Sequence, residues 1–254
     1  MNVLEITDIG QIVGDADRIA ELRAEILDGT VVIARSAIDR GLVADLVEYL
    51  TRVGRNSLPT YAPIEIGASN FHRLNNSDER SYVEGSFHQF VFYPWNQDVF
   101  DLFAVTQDLF RFKSALSGIP PDLYLGREGH DGIVARLPVQ FYPSGSGYMN
   151  RHQDPVGSHQ LTVPTVTLST KGVDFESGGL FVEDSEGRRC EVDDLTSPGD
   201  AVFVDARLVH GVDLVDSGDE PDWLSFHGRW SMLIATNKLA NNDGVSDAVD
   251  LGTG

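Results

Sequence analysis

Residues 141–155 read Phe141-Tyr142-Pro143-Ser144-Gly145-Ser146-Gly147-Tyr148-Met149-Asn150-Arg151-His152-Gln153-Asp154-Pro155. An aromatic run stops at a proline, a glycine–serine turn reverses the chain, and a second run ends in His152 and Asp154, one residue apart. Side chains at i and i+2 of a strand project from the same face. The pair therefore presents an imidazole and a carboxylate together. Such a pair can bind a metal, or it can be two polar residues at a strand end, and the stretch alone leaves both readings open.

From residue 132 onward, short apolar and β-branched runs alternate with Gly, Pro, Asp and Ser clusters. Strands are expected at 133–142, 151–155, 161–170, 178–184, 188–193, 200–206, 210–215 and 228–237. Short strands separated by turn signals predict a sandwich, barrel or jelly roll. Upstream, 15–28 places Ile19, Leu22, Ile26 and Leu27 at helical spacing behind Asp15 and Asp17, and Thr30–Ala34 reads as a buried strand. Ser36 is the expected N-cap of a second helix carrying Ile38, Leu42, Leu46, Tyr49 and Leu50. Residues 97–118 return to helical spacing, whereas 55–96 are polar, aromatic and without period. The fold expected is α+β with a mainly β core flanked by N-terminal helices. It forms one domain over 1–240, with 1–131 helical or irregular and 132–240 the jelly-roll core. The small, polar residues 241–254 are expected to be disordered.

Composition narrows the function. Among 254 residues there are 39 Asp and Glu against 19 Lys and Arg, a net charge of −20. That balance argues against nucleic acid and anionic membranes as partners. Cys190 is the single cysteine, which excludes an intrachain disulfide and a cysteine-built zinc site. The first residues lack the pattern of a signal peptide, and no apolar stretch nears the ~20 residues of a membrane span. A cytoplasmic, reducing location is expected.

Other residues join the His152–Asp154 pair. His210 follows the turn Gly199-Asp200 and the apolar run Ala201–Val204, and Arg229 and Ser231 share a strand face further on. Two histidines and a carboxylate make the facial triad of non-haem Fe(II) oxygenases. A guanidinium beside a hydroxyl suits one carboxylate of a diacid such as 2-oxoglutarate. His227 and Arg207 are rival candidates for ligand and clamp; His210 is preferred because a turn and a full strand precede it.

In this order the residues resemble the Fe(II)/2-oxoglutarate-dependent oxygenases with a double-stranded β-helix (cupin-like) core, and within them the prolyl-hydroxylase type. The resemblance spans 139–237. It rests on the Tyr-Pro-Gly-rich-Gly-Tyr stretch before His152-Gln153-Asp154, on Ser177-Gly178-Gly179, and on Gly199-Asp200 leading to His210. It implies Fe(II) on His152, Asp154 and His210, and 2-oxoglutarate held by Arg229 with Ser231, Tyr142 and Thr167, O₂ being the other cosubstrate. Thr167 falls near a tyrosine of that family, so its residue type departs from the pattern. The resemblance also implies hydroxylation, or a related desaturation or ring closure, of a substrate hydrogen; a carboxylate ligand at Asp154 argues against halogenation. The spacing from His210 to Arg229 is longer than the family's, and 216–228 reads as an inserted loop that covers the site.

The substrate expected is a small metabolite or natural-product scaffold, and the acidic balance favours a cationic or polyhydroxylated one. His72, Arg73, His88 and Tyr148 are the candidate substrate contacts. Oligomeric state is not legible. The alternatives are a peptidyl or protein prolyl hydroxylase, with an open groove, and a cupin-like binding protein without turnover, which would have no use for the Arg229 clamp.

Overall fold

A computed structural model describes residues 1–252. The N-terminal part supplies β1 (Val3–Ile6), α1 (Ile9–Ile12), α2 (Ala16–Leu27), β2 (Val31–Ala34) and α3 (Arg40–Asn56). Next come β3 (Phe71–Asn76), β4 (Gly85–Phe92), α4 (Leu102–Val105) and α5 (Gln107–Ser117). The remainder is β: β5 (Ile133–Pro143), β6 (Tyr148–Gln153), β7 (Thr165–Thr167), β8 (Gly179–Glu183), β9 (Arg189–Glu191), β10 (Ala201–Phe203), β11 (Val209–Asp213), β12 (Gly228–Leu233), β13 (Ala235–Lys238) and β14 (Val249–Asp250).

Strands β5 to β12 wind into two facing layers, β10-β7-β12-β5 and β6-β11-β8-β9, paired antiparallel within each. The chain passes back and forth between the layers, which is the double-stranded β-helix. The first layer extends through β2 and β1 at one edge and β4 and β3 at the other.

Period-two alternation sorts this layer's side chains. Val32 and Ala34 of β2, Val139 and Phe141 of β5, and Trp230 and Met232 of β12 join α2, α3 and α5 through Leu22, Ile26, Leu46, Leu50 and Phe110. Their neighbours Val31 and Ile33 turn the other way and meet Val182 and Val202 between the layers. The helices thus seal the outside and leave the inside of the β-helix for a cavity.

Two helix boundaries differ from expectation. The N-cap of α3 is Asp39, whose Oδ1 accepts from the Leu42 N–H at 3.0 Å. Ser36 instead takes a left-handed φ of 50° and donates its N–H to Asp200 Oδ1. The helical run at 97–118 starts only at Leu102, because the Asp98 carboxylate takes the N–H groups of Phe100 and Leu102 in a turn.

Three segments depart further. The stretch 55–96 contains the β3–β4 hairpin; every residue of β4 is buried, so no polar alternation marked it. The loop 216–228 does not cover the cavity. Asp216 pins it beneath the turn, accepting from the N–H groups of Glu176 and Ser177 and from Ser144 Oγ, while Arg55 of α3 donates to the carbonyls of Leu224 and Ser225. Residues 241–252, expected to be disordered, run back along β6: Val249 pairs with Gln153 and Asp250 with His152. Asp250 Oδ2 accepts from the Glu84 N–H at 2.7 Å, giving the polar tail a backbone partner that composition does not reveal. Thr253 and Gly254 lie outside the described residues.

Asp200 ties the N-terminal part to the core. Its buried carboxylate accepts from Arg35 Nη1, the Ser36 N–H and the Ser197 N–H at 2.6, 2.8 and 3.0 Å. Asp200→Ala leaves these donors unpaired, so unfolding in urea should show a loss of about 3 kcal/mol; an unchanged midpoint would mean the tether is dispensable.

Candidate metal centre and its cavity

Strands β6 and β11 are antiparallel neighbours, and their register sets His152 opposite His210. The ring centroids are 4.1 Å apart. Asp154 follows just beyond β6, its N–H donated to the Ala206 carbonyl. One ligand atom from each of the three side chains lies within 4.8 Å of the other two. Each imidazole donates Nδ1–H to a carbonyl two residues back, His152 to Asn150 at 2.8 Å and His210 to Leu208 at 2.9 Å. Since a carbonyl only accepts, both tautomers are set, and each Nε2 keeps its lone pair for a ligand.

The electrostatics agree with that use. Burial and then the neighbouring His210 hold His152 neutral, down to about 4. Burial would push Asp154 up, but the His210 contact at 3.4 Å together with the charges of His152 and Lys113 outweighs it and the carboxyl is lowered. Burial likewise works against His210⁺, and Asp154 outweighs it, so His210 is raised. A bound cation would take the place of the His210 proton as partner of the carboxylate.

Arg229 lies on β12 opposite Tyr142 of β5 and is 1 % exposed. Its Nε and Nη2 donate to Asp193 at 2.7 and 3.2 Å, and Nη1 to Ser231 Oγ at 3.1 Å. Three of the five guanidinium N–H groups are thereby used and two remain. The Tyr142 hydroxyl donates to Gln140 Oε1, and burial raises its pKa above the ordinary tyrosine range.

Asp193 was not singled out from sequence, although a signal for it existed. Its Oδ2 also accepts from the Leu180 N–H at 2.6 Å, and a Cβ on Gly179 (φ 108°) would collide with it. Part of Ser177-Gly178-Gly179 therefore exists to admit the carboxylate that holds Arg229.

A cavity of about 270 Å³ joins these groups, lined among others by His152, Asp154, His210, Arg229, Ser231 and Tyr142. Alternation decides which earlier candidates reach it. Phe71 and Arg73 of β3, Phe87 and Gln89 of β4, and Arg136 and Gln140 of β5 line it. His72 and His88 face the opposite way: Ser57 Oγ, His72 and His88 form a hydrogen-bonded chain, with His72 stacked on Phe90 and His88 tilted against Trp223. The Tyr148 hydroxyl donates to Glu84 Oε1 away from the cavity, and the Thr167 hydroxyl donates to Thr196 Oγ1. His227 is exposed and Arg207 pairs with Asp205, so neither rival joins the site. The tail, missed from sequence, lines the mouth through Ala240 and residues 245–248, with Lys238 Nζ 2.7 Å from Asp247 Oδ1.

The wall inverts the charge of the chain. Its basic side chains are Arg73, Arg80, Arg136, Arg229 and Lys238; its acidic ones are Asp154 and Asp247. The expectation of a cationic ligand, drawn from the net charge, finds no support there, because the acidic excess lies elsewhere.

Comparison with known proteins places the molecule first by architecture: it has the double-stranded β-helix seen in non-haem iron oxygenases. No family model matches the sequence, and no curated protein matches it. Among solved structures it is similar to a prolyl-4-hydroxylase of Pseudomonas putida, with TM-score 0.54 and 14% identity over 88% of this chain and 100% of that one. It is also similar to the α-ketoglutarate-dependent epimerase SnoN from nogalamycin biosynthesis, with TM-score 0.55 and 15% identity over 94% and 97%. JOX2, solved in complex with 2OG, Fe and JA, matches with TM-score 0.52 and 14% identity over 95% of this chain and 76% of its own. At these identities the likeness is one of fold.

Two measurements follow. Asp193→Asn leaves Arg229 charged and half-partnered in the interior, so stability should fall by about 3–5 kcal/mol in urea; a loss below about 1 kcal/mol would show that the pair is not needed. Burial depresses His72, His152 and His159 to about 4 and His88 to about 3. The unfolded chain would protonate them near 6.5, so it binds more protons than the folded one between these values. Stability of the metal-free protein should therefore drop as pH falls from about 6.5 to 4. His210, raised, opposes this alone, and Asp154, lowered, adds to it. A urea midpoint that is flat over that window would contradict the assignment.

Proposed function

We propose that the chain is an Fe(II)- and 2-oxoglutarate-dependent oxygenase that hydroxylates a small molecule held in the cavity. Residues 1–240 act as one oxygenase domain with the tail docked on it. The observation that carries this reading is the convergence of one nitrogen from each of two imidazoles and a carboxylate oxygen within 4.8 Å, on the wall that also carries Arg229. The donor set fits ferrous iron: two neutral nitrogens and one anionic oxygen, with both Nδ1 protons already engaged. Iron bound there supplies the activation of O₂ at the expense of 2-oxoglutarate.

The protein's own part is binding and orientation. His152, Asp154 and His210 hold the metal. Arg229 turns its remaining N–H groups and Ser231 its hydroxyl to the distal carboxylate of 2-oxoglutarate, while Asp193 keeps the guanidinium in place. Leu180, Val182 and Val212 make the wall apolar and exclude water. Asp154, as a third protein ligand, favours hydroxylation over halide transfer. The mouth is bounded by residues 61–64, 80–83 and 245–248, which supports a small-molecule substrate over an extended peptide.

Anaerobic addition of Fe(II) and 2-oxoglutarate is expected to give a visible charge-transfer band that His152→Ala abolishes; its absence in the native protein would overturn the proposal. Arg229→Ala should weaken 2-oxoglutarate binding about a hundredfold, the scale of two charge-assisted hydrogen bonds, with iron affinity little changed. Equal loss of both would assign the arginine a purely structural role.

A further inference from the structure

We propose that the substrate carries an oxyanion, a carboxylate or a phosphate, and that Arg73 and Arg136 are its binding residues. The identity of this ligand as substrate rests on the oxygenase reading; the anion site itself rests on the cavity wall.

Every other basic side chain on that wall already has a carboxylate. Arg229 is held by Asp193, Arg80 by Asp78 at 2.7 Å, and Lys238 by Asp247 at 2.7 Å. Among the described residues, Arg73 and Arg136 make no ion pair. Arg73 donates Nη2 to Ser81 Oγ at 2.6 Å, and the Tyr61 ring centroid lies 5.3 Å from its Cζ. The Tyr93 hydroxyl lies near Arg136 without a hydrogen bond of ordinary geometry. The Nε of both arginines is buried and unpartnered.

In a chain with 39 acidic residues against 19 basic ones, carboxylates are the commonest available partners. Asp78 acts on Arg73 from a distance but is bonded to Arg80, and the groups around Arg136 are tyrosines rather than carboxylates. A guanidinium partly withdrawn from water with no ion-pair partner is unfavourable unless something else supplies the negative charge. Burial lowers the pKa of both arginines, offset in part by Asp78 for Arg73 and by Tyr93 for Arg136, and the charge of Arg73 lowers that of Arg136 further. A single oxyanion relieves both costs. Guanidinium forks match carboxylate and phosphate oxygens in shape as well as charge. Gln89 and Gln140, register partners on β4 and β5 that line the same space, offer neutral donors to the rest of the ligand.

This pole is separate from the 2-oxoglutarate clamp. Arg136 precedes Tyr142 by six positions on β5, and Tyr142 is the register partner of Arg229. Strand rise puts ~20 Å between the two ends. A substrate anchored at Arg73 and Arg136 would extend along β5 toward the metal-binding residues from the side away from Arg229.

Calorimetric titration with phenylacetate, phenyl phosphate and 2-phenylethylammonium, with and without saturating 2-oxoglutarate and Ni(II), tests the site. Either anion should bind under both conditions and the cation should not; the better anion tells carboxylate from phosphate. Arg136→Met and Arg73→Gln should each weaken the anion by about tenfold or more, the worth of a charged hydrogen bond. The melting temperature of Arg136→Met should hold or rise, since no carboxylate loses its partner. No anion binding to the native protein, cation binding of equal strength, or anion binding unchanged in both variants would overturn the proposal, as would a fall in melting temperature in both. If Arg136→Met does not fold, Arg73→Gln decides. Failure of the oxygenase reading shows separately, as a missing charge-transfer band with anion binding intact.

Discussion

The antiparallel register between β6 and β11 is the constraint on which the site depends. Because side chains alternate at every residue, a slip of one position would turn an imidazole out of the pair. The register is held from both sides, since β11 also pairs with β8 over Val209–Asp213. Gly211 lets β11 approach the Met149 and Asn150 carbonyls, and the register shifts between His210 and Val212. Such an irregularity re-aims a side chain where the regular ladder would not.

Buried acids do structural work around this register. Asp200 joins the β2–α3 connection to the turn before β10, Asp216 pins the long loop, and Asp193 holds Arg229. Each carboxylate is engaged by several donors, which is what makes its burial tolerable. Arg229 is thereby set in place before any ligand arrives. The orientation of this guanidinium is a property of the folded chain, so its remaining donors do not have to be reorganised to meet an anion in the cavity.

Charge is distributed unevenly. The surface carries the acidic excess while the cavity wall is basic, so net charge describes solubility and long-range repulsion but not the ligand. The tail belongs to this arrangement. By pairing Asp250 with His152 and placing residues 245–248 at the mouth, it makes the last part of the chain a wall of the cavity.

The sequence by itself determined the local and periodic features: the order of the strands of the β-helix, with 161–170 shortened to Thr165–Thr167 and 228–237 divided between β12 and β13, the helix α2 behind Asp15 and Asp17, and the spacing that sets His152, Asp154 and His210 on one cavity wall with Arg229 and Ser231. These were readable because strand alternation, Gly-Asp turns and i, i+2 spacing are encoded in neighbouring residues. Tertiary structure alone decided the rest. The buried strand β4 has no polar face to show alternation, Ser36 takes a left-handed φ while α3 starts at its Asp39 cap, and the tail is held by β6, the Glu84 N–H and Lys238. Asp193 became the partner of Arg229 across thirty-six positions of sequence. Which of Arg73, His72 and His88 faces the cavity depended on which side of β3 and β4 the helices cover, a fact of packing that no local pattern contains.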